Sequence, residues 1–430
     1  MTPSSEPTAT VAEATFIATA AGNDDPPPLA RGSVNRLLAW VFPANLVLFL
    51  LWGSIPGLFL PRQLELLDPD DKVANLGTVT SLGAFGAMIA APIIGQVSDR
   101  TRSRFGRRAP WIVVGALAGT LALIGLAFAN SYLAIAIAWP LVQIFYNVAQ
   151  GPLSTILPDR IPRRRRGAFA AVAGIGGMSG ALLGSIVGSM LYDSITVGYL
   201  FFAAIALVVL ILFVAFNPDH SSVDVQVEPF RAADFLRTFW VDPVEHPDFF
   251  WAFIGRLLLF TGYGLITGYQ LYLLTDYVHL ENPQTVIPVI GVVGLVGIII
   301  GTVISGPLSD KVGRRKPFVF GASLVMGLAL VLPWARPTLT SWLIMTGVLA
   351  LGFGMYGAVD QALMVEVLPS AQSFGKDLGL VNIAAALPQT IAPAIASAVV
   401  LMFGYAGLFP LGIALSLLGA FAVWPIKSVR

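Results

Sequence analysis

The chain has 430 residues, of which 56% are hydrophobic and only 11% are charged, whereas an ordinary globular domain has about 25% charged residues. So little charge cannot cover a water-exposed surface, which predicts a membrane protein. The net charge of +1 excludes a strong overall field for nucleic acid, and the absence of cysteine excludes disulfides and thiolate metal sites. We expect neither a cofactor nor a metal site.

The N-terminal segment, residues 1–33, consists mainly of small and polar residues and is rich in proline, and a segment of this composition cannot form a hydrophobic core. We expect it to be a disordered cytoplasmic tail. It lacks the basic start and the apolar run of a signal peptide, so the first hydrophobic span must itself direct insertion into the membrane.

Long hydrophobic runs follow along the rest of the chain. A membrane helix needs roughly 20 mostly apolar residues to cross about 30 Å of hydrocarbon. Twelve runs meet this requirement, near residues 37–60, 73–97, 111–129, 132–157, 167–191, 197–216, 249–277, 285–308, 317–335, 341–367, 377–402 and 405–425. The sequence therefore predicts an all-α membrane protein with twelve transmembrane helices.

Basic residues alternate between the loops, and this alternation predicts the orientation in the membrane. The links between spans 2 and 3, 4 and 5, and 8 and 9 are rich in arginine and lysine, with four successive arginines at 163–166. The opposite links carry few basic residues. Because basic loops remain in the cytoplasm, we expect a multi-pass protein of the cell membrane with both termini cytoplasmic.

One charged motif occurs twice. It reads GQVSDRTRSRFGRRAP at 95–110, after span 2, and GPLSDKVGRRKP at 306–317, after span 8. A second match supports the first, because YNVAQGPLSTILP at 146–158 in span 4 corresponds to YGAVDQALMVEVLP at 356–369 in span 10. These pairs indicate an internal duplication.

The duplication predicts two pseudo-symmetric six-helix halves, residues 34–217 and 248–430. A polar cytoplasmic linker at 218–247 joins them. Parallel repeats related by an axis along the membrane normal build some transporters, in which two halves rock about a shared site near the midplane. We therefore expect alternating access.

Charged residues of the repeated motif are candidates for a cytoplasmic gate. A carboxylate at the end of one span lies beside the start of the next helix, whose partial positive charge stabilises it, and nearby arginines can pair with it. Together with acids near the ends of spans 4 and 10, the candidate gate residues are Asp99, Arg100, Arg107, Arg108, Asp159, Asp310, Lys311, Arg314, Arg315 and Glu366. The alternative is that these charges only set the topology.

The repeated motif resembles the signature of the major facilitator superfamily, and the resemblance covers about residues 34–427. The segment SDRTRSRFGRRAP is similar to the longer form of this motif in sucrose–proton symporters and related glycoside carriers. NVAQGP at 147–152 resembles their fourth span, and GLVNIAAALPQ at 379–389 resembles their eleventh. The resemblance implies the major facilitator fold and a sugar or glycoside as substrate.

In that fold, spans 1, 4, 7 and 10 line the central cavity, and in this chain they carry stripes of polar residues. Side chains at offsets of 3, 4 and 7 share one helical face, and such stripes face a wet cavity or another helix. Sugars bind to amides and aromatic rings, so we expect substrate contacts from Asn45, Gln143, Tyr146, Asn147, Gln150, Tyr263, Gln270, Tyr356 and Gln361. The alternative is that these residues only hold the bundle together.

Of the 24 acidic residues, Asp360 is the one that lies well inside a span, and Arg256 in span 7 lies at a matching depth. Charge inside the membrane is expensive and is functional by default. Burial favours the neutral acid and a nearby arginine favours the carboxylate, so Asp360 is the candidate proton carrier with Arg256 as its counter-charge. The alternative is a static ion pair that locks spans 7 and 10.

These patterns predict a transporter rather than an enzyme, namely a secondary active carrier that moves a sugar or glycoside by proton-coupled symport. Its expected partners are the substrate, protons and the lipid bilayer, and we expect a monomer. The alternatives are a proton-driven exporter of drugs or metabolites and, from another class, an integral-membrane enzyme or a non-transporting sensor. The sequence contains no nucleotide-binding loop, so we do not expect ATP to drive transport.

Overall fold

The computed structural model describes residues 33–223, 245–366 and 374–427. For a few of these it describes the backbone alone, namely residues 157, 158, 163, 361, 362, 365, 366 and 374–385. The predicted tail before residue 33 and most of the predicted linker lie outside the described residues. Within them, twelve helices are long and apolar enough to cross a membrane, which confirms the predicted number of spans and the all-helical class.

Each of the first six membrane helices runs antiparallel to the one before it in the chain. They are α1 (Val34–Leu67), α2 (Lys72–Arg100), α3 (Ala109–Ala127), α4 (Tyr132–Ser154), α5 (Arg166–Met190) and α6 (Tyr192–Phe216). Inside α1 the backbone widens into a π-turn at Ile55–Phe59, where Pro56 has no backbone N–H to donate. A five-residue helix, Ile156–Arg160, follows α4.

The second six membrane helices repeat this arrangement. They are α7 (Pro247–Thr267), α8 (Pro283–Val312), α9 (Lys316–Ala335), α10 (Leu339–Glu366), α11 (Phe374–Phe403) and α12 (Tyr405–Ala422). A short helix at Gln270–Tyr272 and a π-turn at Leu273–Tyr277 continue α7. A π-turn therefore lies in the C-terminal half of α1, and another follows the C-terminal end of α7.

The helix pairs of the first half recur in the second half. Helix α1 packs on α5 as α7 packs on α11, α2 on α4 as α8 on α10, and α3 on α6 as α9 on α12. Such pairings, each shifted by six helices, are what a duplicated unit produces. Among the described residues, the most extensive contacts between the halves are two corresponding ones, α2 with α11 and α5 with α8.

Close packing of α5 on α1 explains the glycine-rich segment GGMSGALLGSIVG at 176–188. A Cβ atom at Gly180 would overlap the carbonyl oxygen of Leu46 in α1, and one at Gly184 would overlap that of Leu50. Small residues at this spacing let two membrane helices approach closely. The glycines therefore fix the position of α1, one of the helices expected to line the cavity.

The two ends of the bundle differ in charge. We name the end that holds residues 98–108, 159–166 and 310–316 the arginine-rich face. The other end, which holds residues 65–72 and 276–282, is named the opposite face. Helix α1 begins at the arginine-rich face, and each later helix reverses the direction of the one before it.

Candidate functional site

A buried ion pair joins α7 to α10. Nη1 of Arg256 lies 3.3 Å from Oδ2 of Asp360, and the two residues are only 8% and 3% exposed. Tyr356, which is also buried, lies one helical turn before Asp360, and its hydroxyl is close enough to interact with the same carboxylate. The sequence suggested this pair from matching depth, and the structure brings the two side chains together.

The guanidinium of Arg256 is short of hydrogen-bond acceptors. Nε and Nη1 are buried without an acceptor among the described residues, since the 3.3 Å contact to Asp360 is not aligned as a hydrogen bond. The ring of Phe260 lies 5.4 Å from the guanidinium carbon, within cation–π range. Because an unpaired buried donor costs about 1–3 kcal/mol, the site favours a ligand that brings acceptor oxygens.

Aromatic rings lie beside the ion pair. Tyr263 of α7 stacks on Phe353 of α10, with ring centroids 4.6 Å apart. Phe260 makes edge contacts with both Phe353 and Tyr356, at 5.4 and 6.0 Å between centroids. Tyr263 is half-buried, whereas Tyr356 is buried. The cluster gives the second half an apolar surface next to its buried charges.

Two further candidates for substrate contact in the second half are Gln270 and Gln361. Gln270 is half-buried and begins the short helix that continues α7. Gln361 follows Asp360 in α10, but its side chain lies outside the described residues. Substrate contact by either residue stays a prediction.

In the first half, the amide candidates make bonds inside the bundle. Nε1 of Trp52 in α1 donates to Oε1 of Gln150 in α4 at 3.3 Å, which connects the two helices. Asn147 donates to the carbonyl oxygen of Gln143 at 2.8 Å, and Asn45 donates to a carbonyl oxygen one turn earlier in α1 at 3.0 Å. All four amide side chains are half-buried, so each is partly accessible to a ligand.

Tyr146 is placed differently from its neighbours on α4. Its side chain is fully buried, and its ring fills the space left by Gly119 of α3. The ring of Trp52 lies edge-on at 6.5 Å between centroids. Tyr146 is therefore a core residue of the first half in this conformation, and the expectation that it contacts substrate has no support here because α3 and Trp52 enclose it.

The first copy of the repeated motif forms an ion-pair cluster at the arginine-rich face. Arg108 contacts Asp99 at 2.6 Å and Asp159 at 2.8 Å, and Arg107 contacts Asp159 at 2.7 Å. Nη1 of Arg108 also donates to the hydroxyl of Ser98 at 2.9 Å. The cluster ties the link after α2 to the segment after α4, so it lies within one half.

A third arginine, Arg160, extends this cluster to the segment that follows α6. Arg160 donates to the carbonyl oxygens of Asn217 and Pro218, at 3.2 and 2.9 Å, and lies 3.6 Å from Asp219. Burial lowers the pKa of Arg160, and the carboxylates of Asp219 and Asp159 act in the opposite direction. Arg160 was not among the predicted gate residues, although it directly follows Asp159.

The second copy of the motif is more exposed. At the end of α8 and in the link to α9, the exposed candidates are Asp310, Lys311 and Arg314, and Arg315 is half-buried. Glu366 ends α10, and its side chain lies outside the described residues. In the first copy, Arg100 donates to Gln96 of its own helix. The two copies therefore match in sequence and position but differ in the exposure of their side chains.

A charged cluster that the sequence did not predict connects the halves at the opposite face. Nζ of Lys72 lies 2.9 Å from Oε1 of Glu65 and 2.9 Å from Oδ2 of Asp276. The hydroxyl of Tyr405 donates to Asp276 at 2.7 Å, and Arg62 contacts Glu65 at 3.0 Å. Glu65 belongs to the same half as Lys72, whereas Asp276 belongs to the other half.

Known proteins resemble this chain in sequence and in structure. The sucrose transport protein SUC4 of Arabidopsis thaliana is 30% identical over 155 residues, which cover 29% of this chain and 30% of that protein, so the match spans less than a third of its length. The class H tetracycline resistance protein of Pasteurella multocida is 24% identical over 310 residues, covering 69% of this chain and 72% of that protein.

A solved structure of the nucleoside transporter NupG superposes with a TM-score of 0.71 at 15% identity, covering 91% of this chain and 99% of the other. The family model described as Major Facilitator Superfamily matches residues 37–372 and 298–429. Together with the twelve membrane helices and the repeated helix pairing, this match shows that the chain belongs to the Major Facilitator Superfamily and is a multi-pass membrane transporter rather than an enzyme.

Proposed function

We propose that this chain moves a sugar or glycoside across the cell membrane by proton-coupled symport with alternating access. The observation that carries the proposal is the buried pair of Arg256 and Asp360 between α7 and α10. In this proposal both termini are cytoplasmic and the transporter works as a monomer. Its partners are the substrate, protons and the bilayer.

The chemistry of the pair suits a proton site. A carboxylate buried in the membrane is more stable as the neutral acid, and an adjacent guanidinium stabilises the anion. A small change in the distance between the two groups therefore changes which form of Asp360 is stable. Protonation removes the negative charge, weakens the attraction to Arg256 and leaves the guanidinium free for another acceptor.

That acceptor is the substrate in this proposal. Among the described residues, Nε and Nη1 of Arg256 have no acceptor, and the hydroxyl oxygens of a sugar are acceptors of a suitable kind. The stacked rings of Tyr263 and Phe353 offer an apolar surface for the less polar face of a sugar ring. Proton uptake by Asp360 and substrate binding at Arg256 then favour each other, which is the requirement for symport.

The first half contributes amide groups to the proposed sugar site. Gln150, Asn147 and Gln143 are half-buried on one face of α4, and Trp52 adds an indole N–H that now donates to Gln150. Amides both donate to and accept from hydroxyl groups. The relative named as a sucrose transport protein supports the choice of a sugar over other neutral substrates.

A proton-driven exporter of drugs or metabolites is the second candidate. The relative that aligns with 69% of this chain is named as a tetracycline resistance protein, and this favours export. An exporter could use the same pair of Arg256 and Asp360 as its proton site. The two candidates therefore differ in substrate and in the direction of movement relative to the proton.

Transport into proteoliposomes tests both candidates. The purified protein is supplied with labelled sugars and glycosides and, separately, with drugs, under pH gradients of either sign. Symport predicts that a sugar accumulates on the side toward which protons flow, and that a protonophore abolishes the accumulation. Movement of a drug against the proton flow, with no movement of any sugar, would overturn the sugar proposal and support the exporter.

A further inference from the structure

The opposite face is closed by bonds between the two halves. The hydroxyl of Tyr269 donates to the carbonyl oxygen of Val73 at 3.0 Å, and that of Ser397 donates to the same oxygen at 3.2 Å. The hydroxyl of Tyr272 donates to the carbonyl oxygen of Pro61 at 2.8 Å. These bonds end on backbone atoms of α1 and α2, so any opening of this face must break them.

Lys72 is the charged member of this closure. Its side chain is 14% exposed and contacts Glu65 within its own half and Asp276 in the other half, each at 2.9 Å. Its ammonium group also lies 4.8 Å from the centroid of the Tyr272 ring, which belongs to the other half. Lys72 therefore makes two attractive contacts across the interface and one inside its own half.

The internal repeat explains why a single lysine serves two acids. Glu65 and Asp276 are 211 residues apart, the same separation as between Asp99 and Asp310 in the repeated motif. The two acids therefore occupy equivalent positions near the ends of α1 and α7. The position equivalent to Lys72 in the second half is Pro283, so Asp276 lacks a lysine at the place where Glu65 has one.

We propose that Lys72 is a latch whose ion pair with Asp276 holds the opposite face closed. The proposal rests on the alternating-access part of the proposed function and is independent of the substrate and of the coupling ion. When the halves separate, Lys72 keeps Glu65, and Glu65 also keeps Arg62. Asp276 keeps the hydroxyl of Tyr405, so within this charged cluster the ion pair between Lys72 and Asp276 is the charge–charge contact that opening removes.

Distances between spin labels on the two halves test the latch. The chain has no cysteine, so two introduced cysteines carry the only labels. One pair, Pro69→Cys with Asn282→Cys, joins exposed positions at the opposite face. A second pair, Phe105→Cys with Val312→Cys, joins exposed positions at the arginine-rich face. Measurements without substrate and without a pH gradient keep the test separate from that of transport.

Asp276→Asn and Lys72→Gln remove the pair across the interface, and Glu65→Gln is the matched control that removes only the contact inside one half. We expect the first two variants to increase the population with a long distance at the opposite face by about two- to fivefold, as expected for loss of a partly exposed ion pair. The same variants should increase the short-distance population at the arginine-rich face, because rocking of rigid halves couples the two faces.

A double variant supplies a rescue. Lys72→Asp with Asp276→Lys places the lysine in the second half, where it can contact both Glu65 and the new carboxylate, and it should restore the closed population. The proposal fails if Asp276→Asn has the distances of the parent protein, or if Glu65→Gln opens the face as much as Asp276→Asn does. It also fails if the opposite face loosens while the arginine-rich face does not change, since that result indicates local disorder and not a latch.

Discussion

Arg108 and Asp159 are joined by a 2.8 Å contact between Nε and Oδ2, which connects the link after α2 to the segment after α4. Arg108 is buried, and it also binds Asp99, whose side chain is 49% exposed. Arg108 contacts both carboxylates and is therefore the central residue of the cluster, whereas Asp99 of the repeated motif lies at its edge. In this conformation it stabilises the first half at the arginine-rich face.

We predict that Arg108→Gln lowers the free energy of unfolding by about 1.5–3 kcal/mol, the usual contribution of hydrogen bonds to charged groups. Asp99→Asn should cost less because water already reaches that carboxylate. Thermal unfolding of the purified variants in detergent measures both effects. The control is Arg102→Gln, which changes an exposed arginine of the same link. Equal unfolding temperatures for the Arg108 and Arg102 variants would contradict a structural role of the cluster.

The glycines of α5 provide a second prediction. Gly180→Ala places a methyl group against the carbonyl oxygen of Leu46, so α1 and α5 must move apart, and overpacking of this kind costs about 1–3 kcal/mol. Gly174→Ala in the same helix is the control, because a Cβ atom at Gly174 meets no other atom within 4 Å and alanine favours a helix. Thermal unfolding should separate the two variants, and equal stability would contradict the close packing.

The fold was predictable from sequence to a greater extent than the contacts of single residues. The number of spans followed from hydrophobic runs of membrane length, and the duplicated six-helix unit followed from a charged motif that occurs twice. Neither prediction requires knowledge of which helices are in contact, and both agree with the structure. The pair of Arg256 and Asp360 was also predictable from the sequence, since charge deep in a span is rare and needs a counter-charge.

Other features depend on which residues are in contact in the folded protein, and the sequence alone does not show these contacts. The offsets along α4 place Tyr146 near Gln150 on one helical face, but the space left by Gly119 in α3 receives the tyrosine ring and removes it from that surface. Lys72 was missed because it occurs once, and a search for repeats finds only what occurs twice. The equal separation of Glu65 and Asp276 was the signal that could have found it.

The orientation in the membrane is tested by single cysteines. We predict that Pro69→Cys, at the opposite face, reacts with a membrane-impermeant maleimide added to intact cells. Phe105→Cys, at the arginine-rich face, should react only after the membrane is permeabilised. Both positions are exposed, and the parent protein has no cysteine to give a background. Labelling of Phe105→Cys in intact cells would reverse the proposed topology.

Substrate recognition by α4 can be tested at Gln150. Loss of one sugar hydrogen bond costs about 0.5–1.5 kcal/mol, so we predict that Gln150→Ala raises the apparent dissociation constant about two- to tenfold. Binding of the transported sugar to the purified protein measures this change. Gln284→Ala is the control, since Gln284 is a half-buried glutamine at the opposite face. Unchanged affinity in Gln150→Ala would leave Gln150 as a partner of Trp52 that only holds α1 to α4.

Asp360 provides the test that separates a proton carrier from a static ion pair. Asp360→Asn imitates the protonated acid and keeps nearly the same volume. If Asp360 carries the proton, the variant reaches the membrane and exchanges labelled for unlabelled sugar, but it no longer accumulates sugar when a pH gradient is imposed. Counterflow and gradient-driven uptake in proteoliposomes measure the two activities separately.

A static pair predicts a different pattern, because removing one partner leaves a buried charge uncompensated at a cost of about 3–5 kcal/mol. Asp360→Asn and Arg256→Gln would then each lower the amount of folded protein, and the double variant would restore it without restoring coupling. The proton-carrier hypothesis predicts instead that Arg256→Gln retains folded protein but shifts the pH dependence of uptake, since Asp360 then loses the charge that favours its ionised form. Accumulation driven by a pH gradient in Asp360→Asn would exclude Asp360 as the proton carrier.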